Sequence, residues 1–299
     1  MKGSIMLIFG YLMATGLTTG ALYALVALGI VIVFRSTNVV NFAHGEMFMI
    51  GGFIAWTAHV AFALPFVVAF VIAIAASFVV GALSYQFAFR PLMRASNLNG
   101  VLLAMIGVSF MLKGIARDVW GGKGDYLTFP PLMSPRPIQF GGIMIMSQQL
   151  VVLGAAVAVM LAFWLFFRFT RAGKFMQATA DNPKAARLVG LRVDRVHMYT
   201  FGIGAAIAGA AATLMAPLTL LYPDIGFNLF IKGFAAAVLG GLASVPGAIV
   251  GGFLLGVIEQ LSSNYISTGM QDVAAFLLIF LVMIFIPGGL FGSPIRRRV

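Results

Sequence analysis

His44, Glu46, Lys232 and Glu259 are ionisable side chains set inside long apolar runs, in NFAHGEMFM, FIKGFAAAVLGG and GVIEQLSSNY. At mid-depth in a bilayer such a group costs about 2.5–3.5 kcal/mol, so each needs a partner or a task. Groups of this kind bind an ion or a polar solute, carry a proton, or pair with one another. His44 and Glu46 lie two residues apart, about 200° around a helix, and so do not serve together as an acid/base pair. Tyr23, Asn41, Ser262, Ser263, Asn264 and Tyr265 add neutral polar groups that suit a solute or an interface. The candidate lining of a polar pathway is therefore Tyr23, Asn41, His44, Glu46, Lys232 and Glu259.

Other chemistries lack their residues. No G-x-x-x-x-G-K-[ST] run occurs, and GGKGDY around Lys123 does not fit one, so no nucleotide phosphate is expected on this chain. His44, His59 and His197 stand far apart in sequence, and neither H-E-x-x-H nor an ordered Ser/His/Asp set is present. With no Cys, disulfide and thiol chemistry are excluded. Eight acids spread over 299 residues leave little for a membrane enzyme. Transport or passive conduction is what remains.

The elements that must position these residues follow from composition. Hydrophobic residues make up 61% of the chain and charged residues 9%, against about 45–50% and 25% in soluble domains. A bilayer is needed to hide so much apolar surface, and an all-α helical bundle is the expected form. The net charge of +11 sits at the ends of apolar runs, as the positive-inside rule and anionic lipid require, and not in a nucleic-acid-binding patch. The amino-terminal apolar run is too long for a signal-peptide core and reads as a retained helix.

Predicted spans are roughly 6 to 34, 41 to 58, 62 to 89, 98 to 118, 143 to 167, 198 to 221, 227 to 243, 247 to 263 and 271 to 290. The Gly240, Gly241, Pro246 and Gly247 interruption leaves open whether the seventh and eighth are two crossings or one broken helix, for about eight to nine in all. Placing the basic stretch near 168–195 and Arg296, Arg297 and Arg298 on one side favours nine, with the amino terminus outside and the carboxyl terminus cytoplasmic. Arg35, Arg90 and Arg94 then lie inside, and Lys123 and Arg136 lie outside. The outer loop 119–142, with Pro130, Pro131, Pro135 and Pro137, is expected to be irregular.

Within the spans, Asn41 is placed to cap the second helix, with Glu46 in its early, electropositive turns. Lys232 is expected to snorkel to the outer interface, while Glu259 lies deeper and could pair with a cation. Asp272 suits the first turn of the last span. Small residues four apart mark expected helix contacts: Gly16, Gly20 and Ala24; Ala205, Gly209 and nearby Ala212; Gly247 with Gly251; and Gly252 with Gly256.

A charged island from Arg168 to Arg195 carries seven of the nineteen Lys/Arg residues. Its centre, QATADNPKAARLVGLRVDRV, reads as two short helices. Asp181 or Asn182 caps the second, Pro183 sits in its first turn, and Gly190 stops it. Ala185, Ala186, Leu188 and Val189 give an apolar surface that a solvated loop would not require, though a plain amphipathic loop is the alternative.

RAGKFMQATADNPKAARLVGLRVDRV resembles the cytoplasmic loop of permease subunits of ABC importers for branched-chain amino acids. GLTTGALYALVALGIVIVFRS, NVVNFAHGEMFMIGGFIAW, KGFAAAVLGGLASVPGAIVGGFLLGVIEQLSS and IFIPGGLFG are similar to other parts of those chains. The match covers nearly the whole length and is nearer the shorter permease type. The resemblance implies a single permease domain over 1–299 in the bacterial cytoplasmic (inner) membrane. Its partners would be a second permease subunit, two ATP-binding cassette subunits holding ATP and Mg, and a periplasmic substrate-binding protein, with no cofactor on this chain. It also implies a coupling loop at about 168–197, seating Ala178, Asp181, Asn182, Pro183, Ala185, Ala186, Leu188, Val189 and Gly190 against the ATPase. Sugar or nucleoside permeases of the same superfamily and an ion-coupled carrier built on Glu46, Lys232 and Glu259 are the alternatives.

Overall fold

The structure is a computed structural model and describes residues 2–95, 98–121, 126–134, 136–140, 143–286 and 288–292. The helices in chain order are α1 (Lys2–Thr37), α2 (His44–Trp56), α3 (Phe66–Ser84), α4 (Arg90–Arg94), α5 (Leu98–Trp120), α6 (Ser147–Phe169), α7 (Arg171–Asp181), α8 (Pro183–Leu188), α9 (Val193–Met215), α10 (Ile225–Gly240), α11 (Val245–Tyr265) and α12 (Met270–Phe285). Among the described residues six helices are long and apolar enough to cross a membrane, and Ile225–Gly240 and Val273–Phe285 are shorter apolar helices. The chain is therefore an all-α, multi-pass membrane protein. Every predicted span coincides with a helix, α2 being the shortest at 13 residues.

Local chemistry sets the helix ends. α1 runs for 36 residues, about 54 Å, well beyond an apolar core of about 30 Å. It stops where Asn38 takes φ 56°, a left-handed step that Asn tolerates better than most side chains. A five-residue π-helical turn, Thr57–Ala61, extends α2, and another, Tyr85–Phe89, extends α3.

Two expectations change, and one left open resolves to its favoured form. The outer loop is not wholly irregular: β1 (Pro137–Phe140) and β2 (Ile143–Met146) pair antiparallel in a hairpin. Residues 143–146 therefore leave the fifth span, and α6 begins at Ser147, whose hydroxyl donates to the Ser134 carbonyl at 3.0 Å. The Gly/Pro interruption separates two helices and does not merely kink one. Gly241 turns the chain at φ +107°, and Ser244 caps α11 by accepting from the Gly247 amide at 3.1 Å. Asn41 does not cap α2; the cap position is Ala43, and Asn41 Oδ1 accepts from the Ala43 amide at 3.1 Å in a local turn. Lys123, Pro135, Arg296, Arg297, Arg298 and the Asp272 side chain lie outside the described residues.

The chain divides into two compact units. The first comprises Met1–Val31, Pro131–Val157 and Ile231–Val299. Its helices touch through small residues: a Cβ built on Gly256 would lie 2.4 Å from the Gly20 Cα, and one on Gly252 would lie 2.4 Å from the Ala24 amide. α10 and α11 meet as closely, Gly240 against the Gly247 carbonyl and Gly251 against that of Ala236. Without a hydrophobic drive between helices in lipid, this backbone proximity supplies the packing energy. The second unit comprises Ile32–Pro130 and Ala158–Phe230. There α2, α3 and α9 interlock: Gly51 meets the Gly209 Cα and the Ser77 hydroxyl, and Gly81 meets the Phe201 carbonyl. The predicted rows at Gly16, Gly20 and Ala24, at Gly209, and at Gly247, Gly251, Gly252 and Gly256 all fall at these contacts.

Candidate functional site

The charged island folds, within the second unit, as two short helices on a tied base. Thr170 starts α7, its hydroxyl accepting from the Gly173 amide at 3.0 Å, and Gly173 lies against the Phe167 carbonyl. Asn182, not Asp181, caps α8, its Oδ1 accepting from the Ala185 amide at 3.0 Å. Pro183 occupies the first turn. Gly190 ends the element at φ +86°, a conformation that costs a Cβ-bearing residue about 1–2 kcal/mol.

Charge pairs hold this base in place. Arg35, at the end of α1, lies 3.5 Å from Asp181 and stacks its guanidinium 6.0 Å from the Phe167 ring centre. Asp181 is the last residue of α7, where the helix dipole disfavours an acid, so the cation compensates it. Asp194, in the first turn of α9, accepts from Arg94 and lies 3.6 Å from Arg90.

The surface this leaves differs from the predicted one in a single residue. Ala186 is 3% exposed and packs into the protein itself, because it lies on the same inward side as Gly173, Met176 and Thr179. Ala178, Asp181, Asn182, Ala185 and Gly190 are exposed and Pro183 is partly so. Leu188 and Val189 stand 90% and 77% exposed at the tip. Two neighbouring aliphatic side chains presented on a capped, tied-down turn are suited to contact another surface.

The six pathway candidates divide three and three between the two units. Tyr23, Lys232 and Glu259 come together in the first unit. Lys232 Nζ donates to Glu259 Oε1 at 2.6 Å and sits 5.7 Å from the Tyr23 ring centre, and Glu259 is fully buried. Lys232 therefore does not snorkel, since the buried carboxylate draws it inward. Asn41, His44 and Glu46 belong to the second unit and are all buried.

Sequence reasoning missed the partners of Glu46. Lys113 Nζ lies 3.5 Å from Glu46 Oε1 and 3.5 Å from Asp224 Oδ1, while Arg117 donates to both Asp224 oxygens at 3.3 and 3.0 Å. Only part of the signal was in the sequence: Lys113 and Arg117 are four apart on α5, so they share a face and can engage one acid, but the spacing does not say which. This string of alternating charge runs from a buried acid to a half-exposed one, Asp224. It can neutralise Glu46 without releasing it to solvent, and it offers both charge signs at its exposed end.

Residues 12–287 match the family described as "Branched-chain amino acid transport system / permease component". Relatives include the high-affinity branched-chain amino acid transport system permease protein LivH of Salmonella typhimurium, 35% identical over 96% of each chain. The corresponding BraD protein of Pseudomonas aeruginosa is 35% identical over 98% of this chain and 99% of that one. The autoinducer 2 import system permease protein LsrC of Yersinia enterocolitica is 29% identical over 68% of this chain and 60% of its own.

Proposed function

The chain belongs to the branched-chain amino acid transport system permease family, and from that premise we propose that it is the membrane-spanning permease subunit of an ATP-driven importer for branched-chain or related hydrophobic amino acids. The observation that carries this is the near-full-length match, residues 12–287, together with the LivH and BraD names over 96% or more of the chain. The shorter, weaker similarity to an autoinducer 2 permease leaves a cargo of that kind less supported.

The chain supplies the pathway and not the energy. In this reading two ATP-binding subunits bind ATP and Mg beneath it, a second permease chain completes the pathway, and a periplasmic protein delivers the amino acid. The bilayer is the bacterial inner membrane, crossed nine times, with the amino terminus outside and α7 and α8 in the cytoplasm. Arg35, Arg90, Arg94 and the basic residues of α7 to α9 support that orientation, since cytoplasmic ends carry the Lys/Arg excess. Leu188 and Val189 then enter a groove of the ATPase. The Arg35–Asp181 and Arg94–Asp194 pairs pass its movement to α1, α4 and α9.

The test is uptake of labelled leucine into proteoliposomes holding this chain with its four partners. Uptake that needs ATP and the binding protein, and stops with vanadate, supports the reading. Uptake by this chain alone, driven by a proton or sodium gradient, overturns it.

A further inference from the structure

We propose that an anionic phospholipid, from the leaflet at the arginine end of α9, is a bound component of this protein: Arg192 and Arg195 hold its phosphate and one acyl chain lies between α3, α6 and α9. Two cavities of the second unit share part of their walls and together outline the groove. One, of about 640 Å³, is walled by Phe78, Phe166, Phe175, Met176, Tyr199 and Ile203, with Arg192 and Arg195 at its mouth. The other, of about 260 Å³, shares Phe166 and Ile203 and continues along α6 and α9 to Val159 and Ala210.

Length and charge select the occupant. From Arg195 to Ala210 is fifteen helical residues, about 22 Å, and half a bilayer with its headgroup layer is about 20–22 Å. A soluble protein partner can reach the arginines but cannot follow the groove into the hydrocarbon. On their other side the arginines border a polar basin of about 790 Å³ that also holds Arg90, Arg94, Arg187 and a single acid, Asp194. Arg90 and Arg94 are engaged with that acid. Arg187, Arg192 and Arg195 have no ion-pair partner among the described residues, so the basin retains a positive excess facing the apolar groove. A phosphate diester joined to an acyl chain satisfies both halves, with the planar guanidinium matched to phosphate oxygens. Basic pockets between membrane helices at such a level take acidic headgroups. The proposal depends on neither the cargo nor the identity of the ATPase.

Photolabelling of the full chain in phosphatidylcholine nanodiscs tests it. The probes are traces of phosphatidylglycerol or phosphatidylcholine with a diazirine in the acyl chain. Label from phosphatidylglycerol is expected on the α6 and α9 walls, at Phe166, Tyr199 or Ile203. It should exceed phosphatidylcholine label by on the order of tenfold, as expected for two cations near a lipid surface. Arg192→Gln with Arg195→Gln should erase the preference, Arg192→Lys with Arg195→Lys should keep most of it, and Ile203→Trp should block the groove with both arginines intact. Equal label from the two lipids, a preference unchanged by the double Gln variant, or label confined to other surfaces each overturns the proposal. So does loss of groove label when the ATP-binding subunits are added, which would assign the arginines to a protein contact.

Discussion

Lys232 Nζ lies 2.6 Å from Glu259 Oε1, and the carboxylate it meets has no exposed surface. Removing one charge from such a pair strands the other in a medium that cannot solvate it. Lys232→Met or Glu259→Leu should each destabilise the chain by about 3–5 kcal/mol. The double variant should recover much of that loss. Thermal melts of the purified chain, arranged as a double-mutant cycle, measure the coupling; a double variant that loses the sum of the two single losses would show that the pair carries no net coupling.

Glu46 should tolerate neutralisation better. Lys113 reaches both Glu46 and Asp224, so Glu46→Gln leaves the cation one acid. Lys113→Met removes the counter-charge of a buried acid and is the more damaging change. Expression and melting temperature should rank wild type, then Glu46→Gln, then Lys113→Met.

Ala186 and Leu188, two positions of the α8 turn, separate folding from coupling. Ala186→Asp buries a charge against the protein itself and should lower the amount of inserted, stable chain. Leu188→Asp changes a side chain that is 90% exposed, so insertion should be normal. Under the proposed function Leu188→Asp uncouples ATP hydrolysis from uptake. Normal leucine uptake by Leu188→Asp would place the ATPase contact elsewhere.

Backbone spacing gives a cleaner contrast. Gly256→Val would drive a side chain into Gly20 and should abolish stable packing of α1 on α11. Gly107→Ala meets nothing within 4 Å and should be silent. Protease sensitivity in membranes distinguishes the two.

Asn182→Ala removes the side-chain cap of α8 and should cost about 1 kcal/mol. Because α8 is a single short element, the loss is expected as faster hydrogen exchange at the Ala185 and Ala186 amides, with little change in global melting.

Much of the architecture was legible because lipid imposes one rule, an apolar run for each spanning helix, and each of the nine predicted runs contains a helix. The small-residue rows were legible for a similar reason: Gly20 and Gly256 are useful in lipid only where two backbones touch. The hairpin at Pro137–Met146 was hidden because Ile143–Met146 is apolar enough to pass for the start of a span. Pairings were the hardest to read. Lys113 and Glu46 are 67 positions apart in the chain by their numbers, and no local spacing announces that distance. Ala186 misled for a different reason. A helix shorter than two turns has too few residues for its inward and outward sides to be separated by pattern, so Ala186 looked equivalent to Leu188 until packing distinguished them.

Leu188 and Val189 also bear on supply within the cell. Chaperones and proteases watch for neighbouring aliphatic side chains standing in water. If the ATP-binding subunits cover this tip, a copy synthesised in excess of them keeps it bare and is cleared sooner. The lifetime of the protein would then follow the abundance of its cytoplasmic partners, and unequal synthesis of the subunits would correct itself by selective turnover.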